Sequence, residues 1–232
     1  MKQIVFLLSA FFLLNSCDYT SGSGNVVNEK RTVGNFTGIN VGNGFEVEVK
    51  IGPVADVKIE ADDNIIGHIK TEVSGGILTI KMEGMHSISN AHLKAYITVA
   101  DLNSIDASGG ANVKVLDVIK GNGKINFNAS GGAEIDAEVE APEVETEASG
   151  GAGIKLTGKT KNHTADASGG GWLKASDLLS ETTSASASGG GSVSVYGSIR
   201  INAKASSGGS VNYRGNGEVN KEESSGGSVN KD

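Results

Sequence analysis

The stretch "AEIDAEVEAPEVETE", 133–147, places carboxylates at every second position of what alternation makes an extended strand. Glu134, Asp136 and Glu138 then share one face with Glu140, and Glu143, Glu145 and Glu147 continue the row past Pro142. Oxygen ligands in such a row could hold Ca²⁺. Joined to a basic proton acceptor beside a groove, the acids would suit the chemistry of a polysaccharide lyase. A plainer reading also fits. Lys114 and Lys155 occupy the repeat position of Asp136 in the turns before and after it, so opposite charges pair across strands on a solvated face. The second chemical feature is aromatic. Trp172, the only tryptophan, follows Gly171 on the outward phase, and Tyr196 lies on that phase one turn later. An exposed indole can stack on a sugar ring or insert into a partner; equally, it can fold over bare glycine backbone. His68, His86, His92 and His163 are scattered, with no HExxH or Cys/His spacing for a transition metal and no G-x-S-x-G nucleophile turn. The expectation is a protein without catalytic residues and without a cofactor, Ca²⁺ being the one ion the acids could hold.

Cys17 is the single cysteine, which rules out an intrachain disulfide. It follows "MKQIVFLLSAFFLLNS", one lysine and then an apolar run from Ile4 to Leu14, the length of a signal-peptide core rather than a membrane span. Leu14-Asn15-Ser16-Cys17 resembles a bacterial lipobox, with Asn15 the less usual residue. The implied chemistry is a thioether-linked diacylglycerol on Cys17, cleavage before it and acylation of its amine. Several acyl chains anchor firmly where one does not. The membrane is therefore the first expected partner. A net charge of −7 argues against nucleic acid.

What must position these groups is a repeat. The unit A-S-G-G-(A/G)-x-(V/I/L) recurs seven times, its aliphatic residue at Val113, Ile135, Ile154, Leu173, Val193, Val211 and Val229, spaced by 22, 19, 19, 20, 18 and 18 residues. The ladder runs Ser108-Gly110, Ser130-Gly132, Ser149-Gly151, Ser168-Gly170, Ser188-Gly190, Ser206-Gly208 and Ser224-Gly226, counting the second and fourth positions. Glu223 replaces alanine only in the last copy, and Ser207 and Ser225 replace the third-position glycine in the last two. A period near 20 signals a solenoid. Between the runs the residues alternate, as in "KINFNAS" and "SIRINAKAS", and nothing shows a helical period. The predicted fold is all-β, a single-stranded parallel β-helix with turns of 18–22 residues. Seven turns would stack about 30 Å at the spacing of paired strands. Two readings of the Ser-Gly-Gly run fit. It is a tight corner that uses the positive φ open to glycine, with serine hydroxyls bonding from level to level. Alternatively it is a narrow strand whose tiny inward side chains let two walls approach.

Residues 1–16 read as a signal peptide, 17–30 as the lipidated cysteine and a flexible Gly/Ser-rich tether, and 31–232 as the β-helix. Within it, 31–103 keep the alternation without the Ser-Gly-Gly unit, turning at "GNG" (42–44), "GP" (52–53), "ADDN" (61–64) and "SGG" (74–76), and 104–232 hold the repeats. The front predicts irregular coils that close the N-terminal end. The chain stops at Asp232 with no obvious cap, leaving an edge through which two copies could pair.

"NFTGINV", 35–41, together with "LNSIDASGGANV" and its successors, resembles the head GIN domain of putative auto-transporter adhesins, a family of unknown function found in lipoproteins of Bacteroidetes-type bacteria. The likeness covers roughly 31 to 215. It implies a right-handed β-helix in the cell envelope and no catalytic residues. The expected function is a lipid-anchored adhesin, or glycan- or protein-binding β-helix, on the cell surface or the periplasmic face of the outer membrane. The alternatives are a carbohydrate-active β-helix enzyme and a periplasmic lipid-binding or scaffold module.

Overall fold

The computed structural model describes residues 19–84 and 87–232. The chain winds as a parallel β-solenoid of two long walls, with a third side in the middle coils. On the first wall, Gly38–Val41, Ser104–Ala107, Lys124–Ala129 and the later halves of Glu134–Ala148, Gly153–Ala167 and Trp172–Ala187 stack in parallel register, followed by Arg200–Ala205 and Glu218–Glu223. The second wall runs from Glu46–Ile51 through the starts of the same coils to Ser228–Lys231. Parallel register aligns like with like. Val47, Val113, Ile135, Ile154, Leu173, Val193, Val211 and Val229 form one inward column, all buried. The facing column thins as it rises: Ile39, Ile105, Phe127, Thr146, Ala165, Ala185, Ala203. The cross-section narrows with it. The third side, Val118–Lys120 against 138–140, 157–159 and 177–179, is reduced to a tight connection between Tyr196 and Arg200, which is why the last spacings shorten to 18. The 22- and 20-residue coils carry register shifts, between Lys114 and Val118 and opposite Lys155/Thr157.

The Ser-Gly-Gly run is a corner. In the first copy the Ala111 N–H donates to the Ser108 carbonyl at 3.1 Å, closing a turn through Gly109 and Gly110 at φ 56° and 83°. Both central residues sit in the left-handed region, where only glycine escapes a steric cost. Ser207 (φ 50°) and Ser225 (φ 48°) adopt the same conformation in the last two copies. The level-to-level bonds are backbone bonds, such as Ser130 N–H to Ala107 O at 2.9 Å and Ser168 N–H to Ala148 O at 2.9 Å. Among the described residues no corner hydroxyl bonds to the next corner; the amides that stack under it already carry the ladder.

The front of the chain differs from the expected irregular coils in two ways. Gly42-Asn43-Gly44 is the same corner one level lower, with Asn43 at φ 58° and Gly44 at φ 74°, and the Ser108 N–H bonds to the Val41 carbonyl at 2.9 Å. Below it the strands reverse. Val26–Arg31 pairs antiparallel with Asp56–Asp62, which pairs antiparallel with Leu93–Val99. Ile69–Ser74 and Ile77–Met82 form a hairpin across Gly75-Gly76, so this "SGG" joins two strands of one wall instead of turning between walls. These strands close the base over Ile59, Ile65, Ile69, Leu78 and Ile80, in one core with the coils.

One boundary needs correction. Residues 19–30 are not a flexible tether: Tyr19–Ser21 pairs with Ser87–Ser89, and Val26–Arg31 is a strand of the base. At the C-terminal end the last strands, Glu218–Glu223 and Ser228–Lys231, each pair on one side only, leaving the expected open edge. Glu223 stands in register with buried Ala205, and its carboxylate accepts the Val229 N–H at 2.6 Å, bridging the last corner. Charges at Lys221, Glu222, Glu223 and Lys231 decorate the two end strands, a pattern that discourages edge pairing.

Candidate functional site

Two shallow hollows on the walls gather the polar side chains. The first, about 330 Å³, lies beside the corner edge. Strand register stacks Asn40, Asp106, Asn128 and Glu147 in an outward column, next to the corner serines 108, 130 and 149. The Asn128 amide donates to the Asp106 carboxylate at 2.7 Å. Amides, carboxylates and hydroxyls thus repeat at the level spacing of about 4.8 Å, offering donors and acceptors along a flat ridge.

The second hollow, about 390 Å³, exists because the longest coil bulges at Val115–Val118. It is lined by Asp136 and Glu138 together with Lys114 and Lys155. The groove that lyase chemistry would need is formed here by the extra residues of the 22-residue coil, which make a ledge. Lys114 and Lys155 flank Asp136 in register, and Lys155 Nζ lies 3.7 Å from its carboxylate. Lys120 meets Glu140 at 3.7 Å, and Lys124 meets both Glu143 and Glu145. Glu134 does not line the hollow, and neighbours on one face of a strand stand about 6.5–7 Å apart. Among the described residues no three carboxylate, histidine or cysteine groups converge as a metal site. Cross-strand charge pairing accounts for most of the row.

Trp172 and Tyr196 do not form a platform. Trp172 pairs with Ser192, so Tyr196 lies one level up and four residues along, about 13 Å away on the strand. The indole lies over Gly153, where a Cβ would run into the ring, and Lys174 Nζ sits 4.7 Å from the ring centroid. Tyr196 projects beside Arg214. Cys17 and His86 lie outside the described residues.

A polar group inside the core escaped the sequence reading. His163 is 1% exposed and stacks between Val144 and Thr183. Thr146 Oγ1 donates to the Thr164 carbonyl at 3.2 Å and so accepts the His163 Nε2–H at 3.1 Å. That leaves Nδ1 as a bare acceptor, and it has no partner. Burial pushes the imidazole down to about 4. One level up, Thr183 donates to the Tyr196 carbonyl at 2.6 Å, with the Ser180 hydroxyl 2.6 Å away. The signal was present: in "NHTADAS", His163 shares the odd, inward phase with Ala165 and Ala167.

The family model described as "Putative auto-transporter adhesin, head GIN domain" matches residues 35–217. Among solved structures, a putative adhesin from Bacteroides fragilis superposes with a TM-score of 0.82 at 20% identity, covering 91% of this chain and 98% of that one. A putative lipid binding protein from Parabacteroides distasonis superposes with a TM-score of 0.76 at 19% identity, over 93% of this chain and 100% of that one. A putative adhesin from Parabacteroides merdae gives 0.73 at 18% identity, over 93% and 99%. At such identities the likeness is one of fold. No curated protein matches.

Proposed function

The chain belongs to the head GIN domain family of auto-transporter adhesin-like proteins, and from that premise we propose a lipid-anchored envelope protein that binds a glycan or protein ligand through the walls of its solenoid, without catalysis. The observation that carries the reading is the outward column Asn40, Asp106, Asn128 and Glu147 beside the corner serines, because a rigid row of donors and acceptors suits a polyhydroxylated or extended ligand. Cys17 would hold the acyl chains. The test is protease shaving of intact cells with antibody detection of residues 104–232, followed by a glycan array with the wild type and Asn128→Ala. Loss of the signal from intact cells, and array binding weakened by the substitution, is the expected result. A signal that survives on intact cells and vanishes on lysis overturns surface display and favours a periplasmic scaffold; the lipid-binding description of the P. distasonis structure makes lipid the next ligand class to try.

A second reading draws on the ledge at Val115–Val118, where Asp136, Glu138, Lys114 and Lys155 surround one hollow. It predicts cleavage of uronate polymers by β-elimination, read as absorbance of the unsaturated product. Absence of that product in the presence of Ca²⁺ removes it.

A further inference from the structure

Among the described residues the first strand of the N-terminal base, Tyr19–Ser21, begins two residues after the cysteine expected to carry lipid. Tyr19–Ser21 pairs in parallel with Ser87–Ser89, and two residues of extended chain reach about 7 Å at most. That is comparable to the headgroup layer between the hydrocarbon core and water, about 5–7 Å on each side. We propose that the solenoid is seated directly on the phospholipid headgroups by this base, with no spacer, and projects its coils away from the membrane. The proposal rests on the lipid-anchor reading of Cys17.

From Tyr19 onward the segment is fastened to the base. The Asn64 amide donates to the Ser21 carbonyl at 2.9 Å, and the Gly22 N–H to the Ser89 carbonyl at 3.2 Å. The Ser23 hydroxyl and the Asn25 amide each donate to the Asp63 carboxylate, at 2.6 Å and 2.7 Å, and hold it below the usual carboxylate range. Asp62, 1% exposed, accepts the Gly24 N–H at 2.7 Å and the His92 N–H at 2.7 Å with its two oxygens. Glycine is needed at 22 because a Cβ there would run into the Asp62 carboxylate. A Gly/Ser-rich sequence that reads as a loose tether is therefore, from Tyr19 onward, a clasp.

Position and charge agree with a seat. Ser87–Ser89 lies in the link between Ile77–Met82 and Leu93–Val99, at the closed end of the solenoid. From Ile69–Ser74 at that end to Glu218–Glu223 at the other, the first wall holds nine strand intervals, about 43 Å at 4.8 Å each. The cations of the outermost strands are paired: Lys30 with Asp56 at 2.8 Å, Arg31 with Glu29 at 2.9 Å, Lys70 with Glu83 at 3.4 Å. Among the described residues the base thus presents no free basic stripe, and seating follows from the short anchor whatever the headgroup charge.

The test uses the full lipidated chain in phosphatidylcholine vesicles that carry an energy-transfer acceptor on a headgroup. Ser89→Cys and Asp232→Cys are labelled separately with a donor dye; acylation occupies Cys17, leaving one free thiol in each. Strong transfer from position 89 and near-background transfer from 232 is expected, with the same contrast in vesicles containing phosphatidylglycerol. A fifteen-residue Gly/Ser insert between Asp18 and Tyr19 should weaken transfer from position 89. Equal transfer from the two positions, or a contrast unmoved by the insert, overturns the seat while leaving the anchor intact. Failure of the anchor itself shows separately, as a chain that takes up no labelled palmitate and stays in the aqueous phase; the seat falls with it.

Discussion

The base, residues 19–103, and the repeat coils, 104–232, share one core but hold it together by different means. The base spends large aliphatics, antiparallel pairing and single-use side-chain bonds such as the Asp62 and Asp63 clasp. The coils contain no antiparallel pair, and their large aliphatics stand in repeated inward columns. They use a Ser-x-Gly corner at every level, with the residue after serine always at positive φ, alanine at the approaches to it in all but the last copy, and a backbone ladder. The difference teaches where information is needed. A repeated level inherits its register from the level beneath, so small interchangeable residues suffice. An end has nothing beneath it, and each strand there must be specified individually.

The sharpest way to break the comparison is to remove core volume from the coils and watch the base. Phe127→Ala, at a site with no exposure, should cost about 3–5 kcal/mol in denaturant unfolding and lower both regions in a single transition. Two separated transitions would mean that the base folds on its own. The next effect is pH-dependent and belongs to the coils. Above pH 6.5 His163 is neutral folded or unfolded. Between 6.5 and about 4 the unfolded chain binds a proton that the folded chain refuses, so stability falls as the pH falls through that window. The full loss, complete below about 4, is about 3 kcal/mol on the scale of 1.36 kcal/mol per pH unit. His163→Val should flatten the profile; a slope that persists would place the responsible groups elsewhere.

Smaller effects sharpen the account of the corner. Gly171 follows a corner where a Cβ would stand 2.5 Å from the Ala148 carbonyl oxygen, whereas the equivalent Ala152 is accommodated and buried. Gly171→Ala should cost about 1–3 kcal/mol by overpacking, and Ala152→Gly no more than about 1 kcal/mol. Equal costs would mean that the corners are interchangeable. Smallest is Ser207→Gly. It relieves a left-handed non-glycine residue at φ 50°. The relief of about 1–2 kcal/mol is set against about 0.5–1 kcal/mol of chain entropy. Melting should rise by about 1–2 °C for a net gain near 0.5 kcal/mol; a fall would show that the serine side chain contributes more than its backbone costs.

The coils were legible because alternation and a period near 20 are both properties of nearest neighbours in a stack. Val113 and its successors could be placed in one column from spacing alone. The base was less legible for the same reason. Gly42-Asn43-Gly44 is a corner without serine, and Ser74-Gly75-Gly76 is serine-glycine-glycine without a corner; only the strands on either side tell them apart. "SGSGN", 21–25, has the composition of a linker, yet its small residues serve close contacts with Asp62 and Asp63 that lie about forty positions away. At the binding surfaces, strand phase predicted which acids face outward. The ledge beside Asp136 was hidden in a spacing of 22, and the indole of Trp172 rests on Gly153, which only the paired level reveals.

The direction of the backbone ladder has a mechanical side. Its bonds run along the solenoid axis, level to level, so a pull on the last strand away from a fixed base loads them one row at a time instead of all together. Such a rod unwinds from its free end, releasing about 60 Å of chain for each 18-residue coil. Glu223, which ties the final corner to Val229, would be the first latch to open. A force–extension trace should read this as a staircase of nearly even steps, the record of a shock absorber that lengthens under load while its lower coils keep their shape.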